Sequence, residues 1–138
     1  MNPLFPIHIH RRDNDFRATT ALEKLASDPD RVNAQLRDIA DTYARAITTV
    51  QEALADAKRG SNNRGIAYWR AGQTIIDFEI ILNAAGFYLA AQNATFARDL
   101  GMAEGTFRRF IAFRRRNPDV NALDLDDPWQ SPRTRRVK

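Results

Sequence analysis

The stretch from Asn93 to Ala112, NATFARDLGMAEGTFRRFIA, has the pattern of a helix-turn-helix. Gly101 falls at the turn, where the backbone takes a left-handed conformation that glycine adopts without penalty. Ala97 lies four residues earlier, where a side chain larger than methyl would push two crossing helices apart. Phe96, Leu100, Met102, Phe107 and Phe110 hold the spacings that face a shared core. The outward positions of the second helix are then Glu104, Gly105, Arg108, Arg109 and Ala112, followed by Arg114, Arg115 and Arg116. A face this basic suits the major groove of DNA and its phosphate walls. Helix, glycine, helix is also an ordinary corner of small helical proteins. The alanine, the complete apolar register and the clustered arginines favour the DNA reading.

Charge placement supports the same segment. The net charge is only +4, and residues 1–60 hold nine basic and nine acidic side chains. Residues 98–116 hold six arginines against Asp99 and Glu104, so the excess lies on the recognition helix and its partner. That is the electrostatic footprint of a phosphate-binding face. A solvated helix usually intersperses carboxylates at i,i+4, and 105–116 has none.

At 138 residues the chain suits one domain with its own core. With no cysteine, disulfides and Cys-based zinc sites are excluded, and a reducing compartment fits. The apolar runs fall short of the about 18 residues that a membrane span needs. The N-terminal MNPLFPIHIHRR has neither the charge order nor the cleavage site of a secretory signal. A cytoplasmic protein of bacterial or phage type, without a membrane partner, is the expectation.

Working outward, residues 1–30 read as an N-terminal arm. Ile7-His8-Ile9-His10 alternates like a short strand or an extended segment, and Phe16 to Ser27 has the spacing of a short helix. Ser27-Asp-Pro-Asp30 offers caps and an early proline, a helix start. From there Val32, Leu36, Ile39, Tyr43, Ile47, Val50, Leu54 and Ala57 recur at steps of three and four up to Arg59. The helix is about 27 residues, about 40 Å at 1.5 Å per residue. Its near-heptad stripe either pairs with a second copy through residues 32–57 or packs along its own chain.

A further helix from Arg64 to Ala85 is apolar nearly all round, hence central or covered by partners. Gly72 inside it costs about 1 kcal/mol against alanine, which points to close packing on another helix. Asn117-Pro118 stops the recognition helix. Residues 118–138 read as a flexible tail, acidic at Asp124, Asp126 and Asp127, then basic at Arg133, Arg135, Arg136 and Lys138, with Trp129 a candidate anchor for a protein partner. The expected fold is therefore all-α: a long N-terminal helix, a central apolar helix and a helix-turn-helix at 93–116, within a helical domain of residues 31–117.

Tyr68-Trp69-Arg70-Ala71-Gly72-Gln73-Thr74-Ile75 matches a Tyr-Trp-x-x-Gly-x-x-Ile signature. Downstream, Arg98-Asp99-Leu100-Gly101 and Thr106-Phe107-Arg108-Arg109 to Phe113-Arg114 stand where an Asp-Leu turn and Arg-Arg segment follow it. In these features, over about Val32 to Arg116, the chain resembles the N-terminal domain of the YhcG-like (DUF1016) nuclease family. The resemblance implies a helical, winged-helix-like or helix-turn-helix domain that in the family precedes a PD-(D/E)xK nuclease. About twenty residues follow Arg116 here, so the nuclease half is not expected.

Little else carries catalytic chemistry. Asp56-Ala57-Lys58 mimics an acid-x-Lys pair but sits at the end of an amphipathic helix, and no carboxylates converge for metal-assisted hydrolysis. His8 and His10 lack further ligands for a metal. Gly101 and Gly105 lack the lysine and preceding strand of a phosphate loop. Tyr68 and Trp69, which could stack on a flipped base, suit the core better. The expectation is a non-catalytic DNA-binding protein with no cofactor and no metal. Arg108 and Arg109 reach base edges or phosphates, Arg114, Arg115 and Arg116 dock electrostatically, and Thr106 and Gln92 donate to phosphates. Glu104, Gly105 and Ala112 complete the face. The rival is an adaptor that docks a larger protein, such as a nuclease subunit, through its helices and tail.

Overall fold

Alternation in the first twenty residues builds a sheet. In the computed structural model, which describes residues 4–13, 15–21, 28–59 and 64–123, β1 (Phe5–Arg12) and β2 (Asp15–Thr20) form an antiparallel hairpin. A later strand, β3 (Phe87–Leu89), joins the other side of β1 in parallel, so the strand order is β2-β1-β3. Four helices complete the fold: α1 (Pro29–Arg59), α2 (Arg64–Ala84), α3 (Gln92–Leu100) and α4 (Glu104–Arg116). A 3-10 turn, Val120–Ala122, follows.

The fold is thus α+β, and the all-α expectation is corrected. Ile7 and Ile9 on β1 and Ala18 on β2 are buried, while His8, His10, Arg12 and Arg17 are exposed. One face of the sheet packs on the helices and the other meets solvent, the usual economy of an antiparallel hairpin. Residues 5–20 are therefore part of the core's wall and not a separate arm. The short helix expected from Phe16 is, through Thr20, a strand. Phe16 lies edge-on to the Tyr43 ring, 5.0 Å between centroids. The rest of that expected helix, residues 22–27, lies outside the described residues.

α1 begins as its sequence dictates. The Asp28 side chain accepts the Arg31 amide at 3.3 Å and Pro29 fills the first helical position. Lys58 and Arg59 close the last turn, where cations favour the helix dipole. Its stripe of Val32, Leu36, Ile39, Tyr43, Ile47 and Val50 is buried within the same chain. Of the two expectations, a second copy or the same chain, this burial favours the same chain: the apolar seam at 32–57 is already covered by α2 and the sheet, and it is withdrawn as a dimer interface.

α2 is buried along Gly65, Ala67, Ala71, Gly72, Ile75, Phe78 and Leu82. A Cβ at Gly72 would stand 2.7 Å from Cβ of Arg114 and closer still to the Phe110 carbonyl oxygen, so α4 crosses α2 where the latter has no side chain. The aromatic core runs from Tyr43 through Phe96 (4.8 Å) to Phe107 (5.3 Å), with Phe78 edge-on to Tyr43 and Phe96. Among the described residues no helix is long and apolar enough to cross a membrane.

Candidate nucleic-acid interface

α3, the turn and α4 form the expected helix-turn-helix segment. Gly101 sits at φ 69°, ψ 39°. The Met102 amide donates to the Ala97 carbonyl at 3.0 Å and the Gly101 amide to the Arg98 carbonyl at 3.3 Å. This pair of bonds closes a Schellman turn, which requires a left-handed residue at that position. Nothing lies within 4 Å of where a Gly101 Cβ would be, so glycine is held there by backbone conformation and not by crowding. Ala97 is buried, as are Phe96, Phe107 and Phe110, while Leu100 and Met102 are half-buried against the same core.

That burial fixes the orientation of α4. Gly105, Thr106, Arg108, Arg109, Ala112, Arg115 and Arg116 all face solvent, and Glu104 is half-buried. Arg108 donates to Glu104 at 2.5 Å across one helical turn, and Arg115 stands 4.0 Å from Glu79 of α2. Both contacts are exposed pairs that a competing phosphate can displace at small cost. Gly105 has open space around it, so at that one position of the first turn of α4 the backbone is bare toward solvent. Gln92, the first residue of α3, is half-buried beside the same face.

One arginine of the set is placed differently. The Arg114 guanidinium lies 4.9 Å over the Trp69 ring and donates to the Gln73 amide oxygen. It braces α4 against α2 and is half-buried, which withdraws it from the docking face. Trp69 also donates to the Asn117 carbonyl at 2.5 Å, and Tyr68 stacks on Phe110 with centroids 5.6 Å apart. Both aromatics thus serve packing.

A second feature was not read from the sequence. Asp99, 3% exposed, is the one buried charged residue among those described. It accepts the Tyr43 hydroxyl at 2.6 Å and two Arg98 nitrogens at 2.9 Å each, while Arg98 also donates to the Ile9 carbonyl at 3.1 Å. Burial, and then the bond to Asp99, pushes the Tyr43 hydroxyl above its ordinary range. The same carboxylate raises Arg98 further. The cluster ties α3 to α1 and to β1, setting where the helix-turn-helix stands on the sheet. Its sequence signal was a tyrosine in the middle of a buried stripe, whose hydroxyl needs a partner.

Between α2, β3 and α4 runs an open groove of about 960 Å³. Ile76, Tyr88 and Ile111 give it an apolar floor, and Arg108, Arg115 and Arg116 line the α4 side. Among the described residues no three His, Asp or Glu side chains come together as metal ligands. Residues 124–138, including Trp129 and the basic end, lie outside the described residues.

Compared with known proteins, the chain matches no family model, no curated protein and no solved structure.

Proposed function

We propose that this chain is a non-catalytic DNA-binding protein that inserts α4 into the major groove, as a small regulator or recognition subunit of a phage, plasmid or defence system. The observation that carries the reading is the division of α4 into two faces. Phe107, Phe110 and Phe113 are buried, and Thr106, Arg108, Arg109, Ala112, Arg115 and Arg116 are all outward, behind a turn closed by Gly101. Small residues at 105 and 112 let backbone approach DNA, and the arginines supply both phosphate contacts and the bidentate pairing that reads guanine. The resemblance to YhcG-like domains, over about Val32 to Arg116, agrees with this reading, its motifs lying at residues 68–75 and 98–114.

Fluorescence anisotropy with duplex DNA across a salt series tests it. Arg108→Ala with Arg109→Ala is expected to weaken binding tenfold or more, at about 1–3 kcal/mol per lost base contact, and to leave the helical circular dichroism intact. Unchanged affinity would remove α4 as the reader.

The adaptor reading has one observation of its own. Ile80 (59%) and Ile81 (51%) of α2 are exposed, an apolar surface that a protein partner would cover. No duplex binding at low salt would transfer the proposal to it.

A further inference from the structure

We infer that residues 124–129, DLDDPW, dock back on the outward face of α4 in the same chain. That they thereby compete with DNA rests on the reading proposed above. The segment follows the described residues, which end at Leu123. Charge and reach together select it as the occupant of this face.

α4 carries five arginines against the single carboxylate of Glu104, and the chain's excess positive charge lies at 98–116. Arg108, Arg109, Arg115 and Arg116 are exposed. Arg108 and Arg115 meet Glu104 and Glu79 only through exposed pairs, which a further carboxylate exchanges at small cost. The outward arginines thus outnumber the carboxylates beside them by four to two. Asp124, Asp126 and Asp127 bring three carboxylates within four residues, and the next cation is Arg133, beyond Pro132.

Covalent continuity supplies the reach. Arg116 ends α4 and lines the groove, and Asp124 follows it by eight residues. At about 3.4 Å per residue the carboxylate is never more than about 27 Å away, and the 3-10 turn at Val120–Ala122 shortens that span. Tethers this short give an effective concentration of about millimolar.

Spacing fits as well. Arg108 and Arg115 line the groove two turns apart, about 10 Å along the helix axis. Asp127 precedes Pro128, which favours extended backbone there, and three extended residues from Asp124 to Asp127 also span about 10 Å. Running antiparallel to α4, Asp124 meets Arg115 and Arg116 while Asp127 meets Arg108. Trp129, two residues on, covers the apolar floor of Ile76, Tyr88 and Ile111, where Tyr88 is 44% exposed. The segment so placed occupies the groups that take phosphates.

The test uses full-length chains: the wild type, Trp129→Ala, and Asp124→Asn with Asp126→Asn and Asp127→Asn. Trp69 is the sole tryptophan of Trp129→Ala, so its acrylamide quenching subtracted from that of the wild type isolates Trp129. Trp129 is expected to be shielded at every protein concentration, and as quenchable as a free indole in the triple variant. Free quenching in the wild type, or shielding that the triple variant keeps, would overturn this inference and leave the α4 reading standing. Shielding only at high protein concentration would overturn it in favour of a second copy. In duplex anisotropy the triple variant is expected to bind about tenfold tighter, the sum of three exposed ion pairs. Trp129→Ala keeps every charge, so its own gain in affinity separates a displaced segment from simple loss of repulsion. Wild-type affinity in Trp129→Ala would overturn the competition with DNA. Shielded Trp129 with no duplex binding by any chain would support the docked segment and remove the DNA reading.

Discussion

The two long helices, α1 and α2, solve the same burial problem in opposite ways. α1 concentrates its apolar residues in one stripe and hides it except at the partly buried Leu54, with Tyr43 and Val50 at 0% exposure. α2 spreads apolar residues round its circumference, so it can bury one side on α1, another on α4, and still present Ile80 and Ile81 to solvent. A stripe tells which way a helix faces but not whose surface it meets. An apolar cylinder tells only that several surfaces are met. The withdrawn dimer seam on α1 and the exposed isoleucines on α2 are two sides of that difference.

Placing the same charge on each helix breaks the comparison most severely. Ile47→Asp puts an unpaired carboxylate in the core and is expected to cost at least about 4 kcal/mol, most of a small domain's stability, so circular dichroism should show unfolding and not a folded monomer. Ile80→Asp, on the exposed side of α2, is expected to stay within about 0.5 kcal/mol by chemical denaturation. A large loss at Ile80 would mean that a partner or second copy already covers it. Gly72→Ala is expected to cost about 1–3 kcal/mol by overpacking, read as a lower denaturation midpoint. A neutral result would place α4 farther from α2.

Tyr43→Phe removes the hydroxyl that Asp99 accepts and is expected to cost about 1–3 kcal/mol. It also predicts a pH effect. The folded-state value of Tyr43 lies above that of an unfolded tyrosine, so its contribution is complete below about pH 10 and is lost as pH rises beyond it. The wild-type melting temperature should fall more steeply above pH 10 than that of Tyr43→Phe.

Much of the helical half was legible because its signals are local. Asp28-Pro29 starts α1, Gly101 closes α3 in the left-handed conformation, and Gly72 marks a close crossing. The sheet was only half legible. Ile7-His8-Ile9-His10 alternates visibly, but the partner strand DFRATT carries a Phe16 that fits a helical spacing with Leu22 and Leu25 equally well. β3 is three residues long and pairs in parallel with a strand about eighty residues away, which no window along the chain detects. The docking face on α4 followed from the register of its phenylalanines. Arg114 escaped that register because its position is decided by Trp69 and Gln73, forty residues upstream.

The missing side chain at Gly72 also limits how the molecule can move. α4 rests in the one notch along the Ala71–Ile75 turn of α2 that lacks a Cβ. Sliding by a helical turn would drive the Phe110 backbone into a full side chain, so α4 has no free translation along α2. Whatever bends or twists α2 from its exposed end near Ile80 must carry the arginine face with it as one lever. A ligand that never touches the arginines could then still re-aim them.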